Sequence, residues 1–90
     1  MKTKIEQLLK QKLSASYVEV ADDSAQHKRH AEAKKSGGGH FSVLIVSEQF
    51  EGKGLVARHR LIYDALKDVK QDIHALAIKA YTKKEFAENQ

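Results

Sequence analysis

Three of the five histidines in this chain of 90 residues lie in one short stretch, HKRHAEAKKSGGGH, which spans residues 27–40. His27 and His30 stand three residues apart, and one turn of helix or a tight loop can bring such a pair onto one metal ion. Neutral imidazole is a good ligand for borderline metals. The stretch is also basic and contains three consecutive glycines, which suit a solvated loop. On this pattern alone, a metal half-site and a solvated basic loop both remain open.

A further candidate ligand is His74, one residue into the predicted strand IHALAIKA (73–80). Side chains alternate along a strand, so we expect His74 to share the inward face with the apolar side chains of that strand. If this strand is parallel to the predicted strand FSVLIVS (41–47), the two strands begin side by side. The sequence therefore predicts that His27, His30 and His74 can meet at one metal site.

The other two histidines are predicted to be structural. His59 lies on an apolar helical stripe, where a buried histidine that is satisfied by a local hydrogen bond is the common case. His40 precedes an aromatic residue at the start of a strand, and we expect a structural role there too.

The elements that must position these residues begin with an amphipathic helix over residues 3–13. Apolar residues recur there at helical intervals, and Thr3 and Glu6 have the spacing of a capping box. The segment YVEVA (17–21) predicts a short strand. The segment FSVLIVS (41–47) is almost continuously apolar, which is typical of a central strand with neighbours on both sides.

The second half of the chain predicts a βαβ crossover, with a helix over 55–70 followed by the strand 73–80. Such a crossover is right-handed and lays the last strand parallel to the second, while the first strand pairs antiparallel. Thr82 and Glu85 repeat the capping-box spacing, which predicts a short final helix that holds Phe86. The apolar stripe of the 55–70 helix consists of Leu55, His59, Ile62, Leu66 and Val69.

The predicted order is α-β-β-α-β-α, an α+β fold with a three-stranded mixed sheet and helices packed on one face. Residues 1–90 are predicted to form one small domain, which buries only about 60 to 65% of its unfolded surface. We therefore expect no large active-site cleft. Ser24 with His27, or Ser47 with His59, lack a nucleophile elbow or paired carboxylates, so we expect a protein that is not an enzyme.

Composition limits the remaining function classes. The chain has no cysteine, so a thiolate ligand would have to come from a partner. No apolar run approaches the roughly 20 residues that span a bilayer, and the N-terminus is too charged for a signal peptide. We expect a cytoplasmic protein with no membrane partner. The net charge of +4, with 12 acidic residues interspersed, permits DNA binding without favouring it.

Four dispersed motifs resemble those of the BolA-like proteins: DDSAQH (22–27), HFSVLIVSEQFEGK (40–53), RHRLIYDAL (58–66) and IHALAIKAYT (73–82). The resemblance covers nearly the whole chain and implies a single BolA-like domain with a class II KH-like fold, in agreement with the element order predicted above. KH domains grip nucleic-acid backbone with a GXXG loop. The nearest match, EGKG (51–54), has the wrong spacing, so we do not expect the usual KH clamp.

For function, the resemblance implies a monothiol glutaredoxin partner and a role in iron–sulfur cluster trafficking or iron regulation. In such complexes a [2Fe-2S] cluster is held by the glutaredoxin cysteine, a glutathione thiol and two side chains of the BolA-like protein. The resemblance assigns one ligand to His74 and the other to His27, as in the histidine-loop type, with His30 as a close rival. The isolated chain, a monomer or weak homodimer, is expected to hold no cluster.

The resemblance also implies an alternative function, that of a DNA-binding transcriptional regulator. Residues 48–70 are then interpreted as a helix-turn-helix segment. Under either function, Lys53, Arg58 and Arg60 are predicted to form a positive surface that docks a protein partner or binds DNA.

Overall fold

The computed structural model describes residues 1–23 and 39–88. The predicted loop ligands, His27 and His30, lie outside the described residues. No helix in the described part of the chain is long and apolar enough to span a membrane. Short 3₁₀ turns occur at Glu48–Phe50 and Lys67–Asp72. The helices and strands are α1 (Lys2–Leu13), β1 (Tyr17–Asp22), β2 (Gly39–Val46), α2 (Leu55–Ala65), β3 (Ile73–Tyr81) and α3 (Lys83–Glu88).

The sheet has three strands in the order β1-β2-β3, with β2 at the centre. β1 is antiparallel to β2, whereas β3 is parallel to it. The predicted mixed sheet and the order α-β-β-α-β-α are therefore confirmed. Because β3 is parallel to β2, the chain crosses from the end of one strand to the beginning of the other through residues 47–72, which include α2.

The two longer helices, α1 and α2, pack on one face of the sheet. In α1 the residues Ile5, Leu9 and Leu13 recur every four positions and are buried. Buried and more exposed residues alternate along β1 and over most of β2, as expected when one face of a sheet is covered. The core also contains Val18, Val20, Phe41, Val43, Ile45, Phe50, Ile62, Ala65, Leu66, Val69 and Ala80. The predicted packing of helices on one face is confirmed for α1 and α2.

The predicted capping box at the beginning of α1 is wrong. Met1 is the N-cap, no side chain caps the helix, and the Ile5 N–H donates to the Met1 carbonyl at 3.0 Å. Because the helix begins at Lys2, Thr3 already lies within the first turn, where its hydroxyl is not at the capping position.

The second predicted capping box, at the beginning of α3, is confirmed. The Thr82 hydroxyl accepts from the Glu85 N–H at 3.2 Å, and the Glu85 Oε1 accepts from the Thr82 N–H at 2.9 Å. The helix that follows carries Phe86, as predicted. The Phe86 ring stacks on Tyr17 with centroids 5.6 Å apart and lies 6.1 Å from Tyr81. Each tyrosine is next to an inward-facing residue of its strand, so both tyrosines lie on the face of the sheet that α1 and α2 leave open. Phe86 therefore covers one corner of that face.

The helix predicted over 55–70 ends at Ala65. At that point the chain tightens into 3₁₀ geometry, because the Leu66 N–H is shared between the carbonyls of Ile62 (3.1 Å) and Tyr63 (3.2 Å). Leu66 remains buried after this change. The first residue of the predicted stripe does not join the core, since Leu55 is 69% exposed at the beginning of the helix.

Candidate functional site: a histidine pair where two strands begin

A β-bulge interrupts the pairing of β2 with β3 close to their first residues. Gly39 pairs with Ile73, but the next residue of β2, His40, pairs with Ala75. His74 is therefore an extra residue with no counterpart on β2. A bulge of this kind re-aims a side chain relative to the alternation of its strand.

The bulge changes the direction of His74. Ile73 takes the inward position and packs against the core, while His74 is exposed. The prediction that His74 shares the inward face of its strand is therefore wrong. Regular alternation resumes after the bulge, with Leu76 and Ile78 packed against the core.

The ring of His74 lies beside that of His40, and we call these two residues the His pair. Their centroids are 5.0 Å apart and their planes are inclined by 51°. His40 has the opposite parity to the buried residues Phe41 and Val43, so it projects toward the open face of the sheet. His27 and His30, the predicted neighbours of His74, lie outside the described residues. In the described part of the chain, the ring beside His74 is that of His40.

Backbone pairing holds His40 directly and holds His74 through the paired residues on either side of it. The His40 carbonyl accepts from the Asp23 N–H at 2.7 Å, which extends the pairing between β1 and β2. The Asp23 carboxylate in turn accepts from the Ser42 hydroxyl. Within residues 1–23 and 39–88, no cluster of three or more His, Cys, Asp or Glu residues has the arrangement of a metal site. The His pair therefore offers two imidazole ligands, and further ligands would have to be water or groups of a partner.

Arg58 does not belong to an exposed positive surface, contrary to the prediction. It is 9% exposed, and its Nε donates to the Lys53 carbonyl at 2.7 Å. Its Nη1 donates to the Ala80 carbonyl at 3.0 Å. The two Nη atoms also form a bidentate pair with the Glu85 carboxylate at 2.6 and 3.0 Å. Arg58 therefore joins the beginning of α2 to the end of β3 and to α3.

The electrostatics of this ion pair agree with its geometry. Hydrogen bonds from the Arg58 side chain, and secondarily from the Thr82 N–H, lower the pKa of Glu85 from 4.5 to about 2. The hydrogen bond with Glu85 also raises the pKa of Arg58 above its usual value. Both groups are charged at neutral pH, and both are engaged within the chain.

The other two residues of the predicted positive surface, Lys53 and Arg60, are exposed. Lys53 lies in the turn before α2, where Gly52 has φ +76°, a conformation that favours glycine. The predicted helix-turn-helix over 48–70 is wrong, because the element before this turn is a 3₁₀ turn of three residues, Glu48–Phe50. That turn is too short to act as the first helix of such a motif.

Two further polar side chains, those of His59 and Ser47, have buried polar atoms. His59 is predicted to be satisfied by a local hydrogen bond, but its buried Nε2 has no hydrogen-bond partner among the described residues. Ser47, a candidate nucleophile by residue type, is 1% exposed, and its hydroxyl donates to the Leu13 carbonyl at 2.7 Å. The same oxygen accepts from the Gln49 N–H, so Ser47 has a structural role.

Comparison with known proteins places this architecture in a family. The family model described as BolA-like protein matches residues 9–85. The chain is 46% identical over 84 residues to SufE-like protein 1, chloroplastic/mitochondrial, of Arabidopsis thaliana, covering 88% of this chain and 23% of that protein's length. It is 34% identical over 87 residues to the DNA-binding transcriptional regulator BolA of Escherichia coli K12, covering 96% and 79% of the two chains.

Solved structures agree with these relatives. The crystal structure of a bol-like protein from Babesia bovis matches with a TM-score of 0.81 at 35% identity, and the match covers 100% of this chain and 94% of that one. The BolA domain of SufE1 from Arabidopsis thaliana has a TM-score of 0.78 at 44% identity and covers 93% of each chain. The match over residues 9–85, the shared fold and the sequence identities together show that this chain belongs to the BolA-like family.

Proposed function

We propose that this protein is a non-enzymatic, cytoplasmic partner of a monothiol glutaredoxin that helps to hold a [2Fe-2S] cluster. The observation that supports the proposal best is the exposed imidazole of His74, which a bulge turns outward on a strand whose backbone is paired with β2. An outward side chain on a fixed backbone suits a ligand that must meet a second protein.

The ligand chemistry of the chain fits such a shared cluster. A [2Fe-2S] cluster takes four protein ligands, usually cysteine thiolates, and histidine replaces two of them in some proteins. This chain has no cysteine, so in our proposal it contributes His74 and one loop histidine, His27 or His30. The glutaredoxin cysteine and a glutathione thiol supply the sulfur ligands. Imidazole ligands carry less negative charge than thiolates, so the bound cluster has a higher reduction potential.

The proposal is tested by mixing the purified chain with a cluster-loaded monothiol glutaredoxin and glutathione and recording the visible absorption and circular dichroism spectra. We expect the spectra of the glutaredoxin cluster to change at one equivalent of this chain, because imidazole replaces thiolate at the iron. The chain purified alone is expected to be colourless. Unchanged spectra, or a coloured chain without a partner, would contradict the proposal.

A second candidate function is DNA binding. It is favoured by the name of the Escherichia coli relative, a DNA-binding transcriptional regulator, and by the exposed cations Lys53 and Arg60 around the beginning of α2. In this second function the two side chains contact DNA phosphates. Binding then weakens as the salt concentration rises, because salt cations compete for the same phosphates.

Charge reversal separates the two functions. We expect Lys53→Glu with Arg60→Glu to slow association with glutaredoxin by roughly threefold to tenfold and to leave cluster retention intact, because exposed charges at the edge of an interface act mainly on encounter. The measurement is stopped-flow association at several ionic strengths, with DNA binding followed in parallel by fluorescence anisotropy. Lys10→Glu with Lys84→Glu, at exposed positions outside this surface, is the matched control for net charge. If only the first double variant loses DNA binding while glutaredoxin association is unaffected, DNA binding becomes the better-supported function.

A further inference from the structure

The geometry of the His pair points to a second kind of metal site in this chain. We propose that His40 and His74 together bind one borderline divalent cation, such as Zn²⁺ or Ni²⁺, in the isolated protein. His40 has no role in the cluster proposed above, and cation binding does not require glutaredoxin. The two proposals share only His74, so each can fail without the other.

The distance between the two rings suits chelation of one ion. A zinc–nitrogen bond of about 2.1 Å places the centre of an imidazole ring about 3.2 Å from the metal. Two such rings at a tetrahedral or a right angle then have centres about 5.2 or 4.5 Å apart. The observed separation of 5.0 Å lies between these values. The spacing of the two rings therefore fits chelation of one ion.

The bulge is the reason that the two rings meet. In a regular parallel ladder Gly39 would pair with His74, and the His74 side chain would point into the core, away from His40. The extra residue moves Ile73 into that inward position and brings His74 beside His40. His40 is paired with β3, and the residues on either side of His74 are paired with β2, so little backbone freedom is lost when an ion binds.

The chemistry of the pair selects the class of ion. Neutral imidazole binds zinc, nickel and copper well, whereas magnesium and calcium prefer oxygen ligands. Water completes the coordination of the cation in the isolated chain, so we expect binding that is saturable and of moderate strength. Because zinc and nickel do not require a thiolate, the absence of cysteine from the chain is no obstacle.

The test is a titration of the isolated, ¹⁵N-labelled chain with ZnCl₂ at pH 7.5, in which the imidazole resonances are followed by NMR and the affinity is measured by calorimetry. We expect the resonances of His40 and His74 to shift together and to saturate at one equivalent. His40→Ala and His74→Ala should each weaken binding by at least about tenfold, since even changes outside the ligand shell have effects of this size. His40→Asn and His74→Gln repeat the test with polar side chains, and circular dichroism confirms that each variant is folded.

The matched control is His27→Ala with His30→Ala, which removes two histidines and leaves the His pair intact. We expect this double variant to bind zinc as the unmodified chain does. If it loses binding while His40→Ala retains it, the cation belongs to the loop and the proposal is overturned. Shifts that do not saturate would also overturn it. In the glutaredoxin complex, His40→Ala should retain the cluster, which separates this site from the proposed function.

Discussion

Replacing His74 by alanine is expected to abolish stable cluster binding in the complex with a monothiol glutaredoxin, whereas His27→Ala is expected to retain a perturbed cluster. The residues on either side of His74 pair with β2, so its backbone is held between two paired positions before any ligand arrives. In the sequence, His27 has a second histidine, His30, three residues away that can replace it as a ligand. The measurement is the visible absorption and circular dichroism of each loaded complex, followed by loss of colour on dilution.

The control for this prediction is His40→Ala, which removes the neighbouring ring without removing the proposed cluster ligand. We expect its complex to have the same spectrum as the unmodified one. A normal, stable cluster in the His74→Ala complex would show that His74 is not a ligand. Loss of the cluster in His27→Ala and in His30→Ala alike, with survival in His74→Ala, would transfer the site to the loop.

The sequence indicated His74 as a candidate ligand, which stays a prediction, but it did not indicate the surroundings of this residue. Strand periodicity placed His74 on the inward face. The bulge turns it outward, but no residue in the segment DIHAL (72–76) is of a type that signals a bulge. A signal for the second ring was nevertheless present. His40 and His74 each stand at the beginning of a strand, and parallel neighbouring strands begin at the same edge. The assumption of regular alternation conflicts with this signal, because it places the two histidines on opposite faces of the sheet.

The second large effect is expected from Arg58→Ala, which should lower the free energy of unfolding by roughly 3 kcal/mol. The substitution leaves the carbonyls of Lys53 and Ala80 without their donor and the Glu85 carboxylate without its cation. For a domain of this size, such a loss lowers Tm by more than about 10 °C. Urea denaturation and calorimetry measure it.

The control for Arg58→Ala is Arg58→Lys, which keeps the charge but not the planar fork. We expect it to recover only part of the lost stability, because an ammonium group cannot bind the Glu85 carboxylate and both carbonyls in the same way. An Arg58→Ala protein of unchanged Tm would show that these hydrogen bonds add nothing to stability.

Because of the same ion pair, we expect the free energy of unfolding to fall as the solution becomes acidic. The pKa of Glu85 is lower in the folded protein, about 2, than its ordinary value of 4.5. Its contribution is therefore present above pH 4.5 and is lost as the pH falls toward 2. Glu85→Gln should flatten the decline of stability over this interval in a series of urea denaturations. An identical slope in both proteins would contradict the assignment.

Arg58 also shows where residue type misleads. Arginine is usually exposed, which favoured its assignment to a positive surface. Yet Arg58, Ile62 and Ala65 follow one another at helical spacing, and all three are buried. Helical position was therefore the better guide. The strands and the second capping box were predictable because alternation and local hydrogen bonds depend on neighbouring residues, whereas the partners of Arg58 come from distant segments.

The parallel pairing of β3 with β2 has a consequence for synthesis on the ribosome. β2 carries an almost continuous apolar sequence, and its second neighbour is made only after the crossover of residues 47–72. Until Tyr81 has emerged, one edge of β2 stays unpaired, and the Arg58 side chain lacks its acceptor at Ala80. An unpaired apolar edge invites association with other chains. The nascent protein is therefore most in need of a chaperone during the interval between completion of the central strand and arrival of the last one.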